Sequence, residues 1–416
     1  MIATRRTAFC AAAIAIAALV APRGVVELAI VALAIAVIVD AVYARKPISL
    51  TRAVAPILII GQPSPLRLQA TSATSLANVR VRQPRNADLR IEPGETNGTL
   101  EAEITALRRG RHALPTAVAR RQGPLRLAAW DFQGEGSNSI TVYPDVPAAR
   151  RIAQAVRTHS FLDAGEIRRG PLGLGTEFES IREYQPDDDV RQVNWLATNR
   201  VGRPMSNQYR VETERQVICM IDCGRLMAAP VGDKTRLDIA IDAITAVAHV
   251  SDVLGDRCGT VAFEQTVIRN LADRRRGAAA LVHAIHDLQP SERDSDYDLA
   301  FRTVRNTKRA LIIVMTDLLD EAAARSLIEA VPVLARRHAV IVASVVDPDV
   351  SAALSQPPAD DHGIFRIVAA LDVSDARSRV RQRLHAAGAV VVEAPESSMS
   401  AATVAAYLRL KDSARV

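Results

Sequence analysis

Aromatic side chains are scarce in this 416-residue chain, where Phe, Trp and Tyr together make up 4% of the residues. Cysteine is scarce as well. Cys10, Cys219, Cys223 and Cys258 are the full set, and no CxxC pair or matching histidine pair accompanies them. That excludes a zinc ribbon or finger. Cys219 and Cys258 stand in apolar, strand-like runs, and free buried thiols suit a reducing compartment. No long basic tract with interleaved aromatics occurs, so a formal charge of +6 does not read as a nucleic-acid surface. A mildly basic protein beside anionic lipid fits that balance better. A phosphate loop is missing too, because Gly173-Leu174-Gly175 lacks the required continuation. No nucleophile–base pair is recognisable.

What the chain does have is apolar mass, 49% of residues against 24% charged, enough for two or three cored domains. Residues 8–21 are almost wholly apolar, Pro22-Arg23-Gly24 interrupts them, and residues 25–44 carry only Glu27 and Asp40. A bilayer needs about 20 apolar residues per helix, which the second run supplies. We read 1–45 as a transmembrane helical hairpin; a signal peptide or a single-span anchor are the alternatives. Arg5 and Arg6 precede the hairpin, and Arg45, Lys46 and Arg52 follow it. Positive flanks on both sides place both ends in the cytoplasm. The expected location is the inner or plasma membrane, with the soluble domains cytoplasmic.

Residues 46–146 read as short β segments, around 57–60, 66–68, 79–82, 100–105, 111–118, 125–129 and 139–143, divided by turn signals such as Asn97-Gly98. This spacing predicts a β-rich, sandwich-like domain. Residues 147–213 form a connecting helix and a charged, glycine-containing segment. From 214 to 416 apolar strands alternate with helices. The strands fall at 217–221, 259–263, 309–315, 339–346 and 390–392. Fully apolar strands alternating with helices predict an α/β fold, a parallel sheet covered on both faces. His283 and His286, three apart, are expected on the surface.

In such a sheet, ligands sit beyond the carboxyl ends of the strands. Two strands here run into acids, at Ile221-Asp222 and Thr316-Asp317. The arrangement resembles a von Willebrand A (Rossmann-like) domain. That family holds a cation with an Asp-x-Ser-x-Ser loop, a later threonine and a later acid. Here the loop reads Asp222-Cys223-Gly224-Arg225-Leu226, with Gly224 and Leu226 in place of the serines. Asp317 matches the later acid, and Asp296 stands near the threonine position. The resemblance implies weak Mg2+ binding at Asp222, Asp317 and Asp296. The other reading is that these acids cap loops and helices without metal.

The segment from Gly175 to Trp195 contains Glu177-Phe178, Arg182-Glu183-Tyr184, Asp187-Asp188-Asp189, Val190-Arg191 and Asn194-Trp195, followed by Arg200 and Arg203. It resembles the signature of the bacterial family called domain of unknown function 58, whose members pair membrane helices and a β-rich stretch with a von Willebrand A-like domain. An acid is expected where Asn194 stands. The mixed charges can brace a loop through Arg–carboxylate pairs, with Tyr184 and Trp195 anchoring it on the α/β domain. Alternatively Glu177, Arg182, Glu183, Tyr184, Asp188, Asp189, Arg191, Trp195 and Arg200 form a partner-binding surface. The resemblance implies a non-enzymatic adaptor. It would work with a MoxR-type AAA+ ATPase and other membrane proteins in the maturation or remodelling of envelope proteins. A metal-dependent hydrolase using Asp222 and Asp317, and a structural envelope protein, are the alternatives.

Overall fold

Strand Gln216–Asp222 is buried on both faces. Val217, Cys219 and Ile221 enter one hydrophobic cluster, while Ile218 and Met220 enter another. Strands Leu311–Met315 and Ala339–Val345 alternate in the same way. That division is what a sheet between two helical layers requires. The protein is described here by a computed structural model covering residues 2–412, except 74, 77, 135, 137, 159–171, 174–176, 186, 187, 189, 211–214, 305, 306, 308, 319–323, 358 and 359. At 172–173, 177–180, 191, 208–210 and 412 only the backbone is described. The chain divides into two units, Met1–Tyr143 and Pro144–Val416.

In the second unit the main sheet has six strands in the order Val267–Arg275, Arg257–Phe263, Gln216–Asp222, Leu311–Met315, Ala339–Val345, Val390–Ala394. All neighbours pair in parallel except the antiparallel edge strand Val267–Arg275. Helix Arg236–Leu254 opens on a capping box between Thr235 and Asp238 and closes on Gly255 at φ +77°, the left-handed conformation glycine tolerates best. Its apolar residues, with those of helices Val146–Arg157, Ala278–Ile285 and Glu396–Asp412, cover one face of the sheet. Helices Tyr297–Val304 and Arg325–Ala335 and the end of Asp361–Ala386 cover the other. His286 is buried rather than superficial; its Nδ1 lies 2.7 Å from the carbonyl of His283.

Strand order reverses beside Gln216–Asp222: the chain runs outward to one edge, then returns to build the other. The crevice beyond Asp222 and Met315 therefore lies at the switch point of the sheet.

The first unit holds three sheets, of four, five and three strands, around one core that includes Leu66, Leu68, Leu100, Ile104 and Ile140. Two helices precede them, Arg5–Ala17 and Arg23–Ala44. Among the described residues Arg23–Ala44 alone is long and apolar enough to cross a membrane. At 13 residues, Arg5–Ala17 is about 20 Å long.

Both helices end on one turn. Thr7 Oγ1 donates to the carbonyl of Leu127. Asp40, fully buried, accepts from the N–H groups of Leu125, Leu127 and Ala128 at 2.7–2.8 Å. A side chain on Gly123 would collide with that carboxylate. The expected strand over 125–129 thus begins only at Ala128, because Arg126 (φ +58°) belongs to the clamped turn. Residues Ile2–Ala3 pair antiparallel with Ala129 and Ala128, so the chain before the first helix lies beside the turn that holds the end of the second.

Candidate functional site

Asp222 ends its strand 2% exposed, and its carboxylate is fully used by the protein. Oδ1 accepts from the N–H of Gly224 at 2.8 Å and from Ser295 Oγ. Oδ2 accepts from Thr316 Oγ1 at 2.6 Å and Tyr297 OH at 2.8 Å. Ser295 and Tyr297 arrive on a loop whose backbone pairs with this one, Arg225 N–H donating to Arg293 and Ser291 N–H to Cys223. The glycine at 224 has a steric reason. A Cβ there would meet Ser295 Oγ and the carbonyl of Arg293. The hydroxyl that the loop lacks at 224 is supplied by Ser295 from another segment, in the same space. Burial and the Asp222 charge push the Tyr297 phenol well above its ordinary range, so it stays a neutral donor.

Asp317 is closed differently. Oδ1 accepts from Arg236 Nη1 at 2.6 Å, from Arg377 Nη2 at 2.8 Å and from Ser344 Oγ at 3.3 Å. Arg236 also reaches Asp347 at 3.1 Å, and Arg377 donates to the carbonyl of Val345 at 3.2 Å. Burial raises the Asp317 carboxyl above the usual carboxylate value, against the opposing pull of the two guanidiniums. Asp296 caps helix Tyr297–Val304, its Oδ1 accepting from Leu299 N–H at 2.9 Å, and its side chain is exposed.

These residues do not fit a divalent cation. Hard cations need several oxygen ligands with free lone pairs. Asp222 spends its lone pairs on four donors, Asp317 faces two fixed cations, and residues 224 and 226 carry no side-chain oxygen. Among the described residues no group of three His, Cys, Asp or Glu side chains is arranged to hold a metal.

Tyr297, Arg236 and Arg377 were not predictable from spacing, because their acids lie 60–81 residues away in sequence. One signal does exist. Arg236 opens its helix directly after the Thr235 cap, a position where the helix dipole disfavours a cation. A buried acid nearby resolves that conflict.

The second candidate region folds by itself. Strands Glu177–Glu183 and Met205–Arg210 pair antiparallel, with Leu172–Gly173 on the far side of the latter. Between them lies helix Trp195–Val201. Asn194 caps it, Oδ1 accepting from Ala197 N–H at 2.9 Å, while Nδ2 donates to Asn207 Oδ1 at 2.8 Å. An acid could make the first bond as it stands, and the second only with the Asn207 amide turned over to donate. Arg200 lies in the last turn of this helix.

The acidic turn is braced as expected. Arg182 pairs with Asp188 and donates to the carbonyl of Glu183, and Tyr184 OH donates to the carbonyl of Asp188. Gln185 N–H donates to Asp188 Oδ2 at 2.9 Å. This backbone bond, then Arg182, holds the Asp188 carboxyl below its usual value. Glu183 pairs with Arg203 at the surface. Asp189 lies outside the described residues, and for Glu177 and Arg191 only the backbone is described. One expectation is corrected. Trp195 does not anchor the module: it is 72% exposed, beside Leu196 at 75% and Val190 at 66%. Tyr184 is spent within its own turn.

Together these observations define an α/β protein in which Asp222 and Asp317 are sealed and a β module bears an exposed apolar tip. Residues 180–357 match the model of the family described as "Protein of unknown function DUF58". An uncharacterized protein of Mycobacterium tuberculosis and one of Mycobacterium bovis are each 24% identical over 213 residues, covering 48% of this chain. The match spans 66% of each relative, just under two thirds of its length. A cohesin module from a Clostridium perfringens family 33 glycoside hydrolase is 11% identical, covering 24% of this chain and 99% of that one. Its TM-score of 0.17 carries no argument.

Proposed function

We propose that this chain is a membrane-anchored, non-enzymatic adaptor that presents the 172–210 module to a protein partner. The observation that carries this reading is the exposure of Trp195, Leu196 and Val190 on a scaffold braced by Arg182 and Asp188. Solvent-exposed tryptophan beside a second large apolar residue is costly to leave in water. Such residues are the usual anchors of protein interfaces. The anchor is the helix Arg23–Ala44. The strand order with one antiparallel edge strand supports a von Willebrand A-like sheet with a degenerate metal loop, used as a scaffold. A MoxR-type AAA+ ATPase is the partner we infer from the family resemblance, acting with this chain on envelope proteins at the inner face of the membrane.

A photo-crosslinking residue at Leu196 tests this in native membranes. The expected product is a single dominant adduct containing an AAA+ ATPase, lost on Trp195→Ala. An absence of adducts, or adducts unchanged by Trp195→Ala, removes the docking surface.

A further inference from the structure

We propose that the end of the six-stranded sheet where its parallel strands begin docks on anionic phospholipid headgroups. The proposal rests on the membrane-anchored reading above and adds a second, electrostatic contact to it.

A parallel sheet gathers all its strand starts at one end. Here that end is rimmed with arginine. Register sets Arg257 opposite Gln216 and Arg275, and Leu311 opposite Val217 and Ala339. Arg309 stands two residues before Leu311, and Arg336 and Arg337 lie just before Ala339. The antiparallel edge strand finishes at this same end with Arg274 and Arg275, and Arg276 follows. All six of these side chains, at 274, 275, 276, 309, 336 and 337, are exposed. Neighbouring strands lie about 4.8 Å apart, so the rim spans roughly 20 Å from the edge strand to Ala339.

Three acids described at this end have partners of their own. Asp273 accepts from Arg257 at 2.7 Å and Gln216 at 2.8 Å. Asp256 is held by Lys411 at 2.7 Å and by Tyr407. Asp252 accepts from the N–H of Ala278 at 3.3 Å.

Folding alone does not account for all of these arginines. Arg336 caps the C-terminus of helix Arg325–Ala335, where the helix dipole welcomes a cation. Arg274, Arg275 and Arg276 stand instead directly before helix Ala278–Ile285, where the dipole opposes positive charge. Arg276 also sits at φ +50°, a left-handed conformation that residues other than glycine rarely adopt. A run of exposed arginines kept in an electrostatically adverse place, with Arg276 in a sterically adverse conformation as well, points to a ligand that wants positive charge there. No aromatic residue occurs from 267 to 277, so nothing is provided for stacking bases. The apolar helix Arg23–Ala44, exposed along most of its length, favours lipid as the anionic surface. Juxtamembrane basic clusters bind anionic lipid over about one Debye length.

The test uses the full chain. Cys10 is replaced in Cys10→Ser; Cys219, Cys223 and Cys258 are buried. A donor fluorophore goes on Gln382→Cys, exposed in the last turn of helix Asp361–Ala386. The protein is reconstituted into vesicles of phosphatidylcholine, with or without phosphatidylglycerol, carrying headgroup-labelled acceptor lipid. Energy transfer is expected to rise on the order of two-fold with phosphatidylglycerol, and to fall back in high salt. The rise should vanish in the Arg274→Gln, Arg275→Gln, Arg276→Gln triple variant. An inserted chain whose transfer ignores lipid charge, or keeps its dependence in the triple variant, overturns this proposal alone. A chain that alkaline carbonate strips from both kinds of vesicle overturns the anchoring reading and this proposal with it.

Discussion

Two aspartates, each beside arginine, behave in opposite ways in this protein. Asp317 is buried under Arg236 and Arg377, and burial raises its carboxyl despite both guanidiniums. Asp188 sits at the surface of the 172–210 module, where the Gln185 N–H and Arg182 lower it. The difference is solvent. In the interior, desolvation of the charge outweighs a good Coulomb partner; at the surface a hydrogen bond to the charged form dominates. The comparison extends to the regions around them. At the sheet end Asp222 and Asp317 have their donors inside the fold. In the module Arg182–Asp188 and Arg203–Glu183 are also paired, but Trp195 and Leu196 are largely exposed. Paired acids therefore mark architecture here, and the docking surface of the module is apolar.

The strongest way to break this contrast is at Asp317. Asp317→Ala strips two buried guanidiniums of their shared carboxylate. Removing one partner of a buried pair typically costs about 3–5 kcal/mol. Chemical denaturation should register a loss of that size; a loss under about 1 kcal/mol would mean that the network is not buried as described. Gly224→Ser comes next. It restores the serine that a metal loop would carry, yet its Cβ collides with Ser295 Oγ. Overpacking of this kind costs about 1–3 kcal/mol. The variant should be less stable and no more responsive to millimolar Mg2+ than the parent. Stabilisation by Mg2+ would show instead that the loop is a dormant cation site.

The main sheet was legible for a physical reason. Strands buried on both faces must be almost wholly apolar, and 217–221, 259–263, 311–315 and 339–345 are, with only the hydrogen-bonded Thr260 and Ser344 as polar exceptions. The edge strand Val267–Arg275 was missed because an edge strand is half exposed and can carry Arg269, Asn270 and Arg274 without penalty. The 172–210 segment read as a charged loop, since its three short strands carry little apolar alternation. At the site, Asp222 and Asp317 were recognisable from their place after apolar strands. Their partners were not, because Tyr297 and Arg377 meet them only through tertiary packing. The exposure of Trp195 was equally hidden: sequence alone cannot distinguish an aromatic that anchors a loop from one that is offered to a partner.

Trp195→Ala sharpens the other side of the comparison. A side chain that is 72% exposed contributes little to folding, so stability should change by no more than about 0.5 kcal/mol. Crosslinking through Leu196 should nevertheless be lost. A destabilisation well above that figure would return Trp195 to a structural role and reinstate the anchoring expectation.

The smallest effect should come from acid. The Asp188 carboxyl is lowered in the folded chain, so its contribution is present above the usual carboxylate value of 3.8 and is lost as pH falls through the lower folded value. Protonation weakens the acceptor for Gln185 N–H and removes the negative charge paired with Arg182. The turn from Tyr184 to Gln192 should then open locally, while the six-stranded sheet, whose registry does not depend on it, stays closed. Hydrogen exchange followed downward through this pH window reads the difference directly. Protection at Gln185 should disappear while protection at Ile218 and Ile313 persists. Simultaneous loss at all three would show that the module and the sheet unfold as one cooperative unit, and the division between a sealed scaffold and an independent docking module would no longer hold.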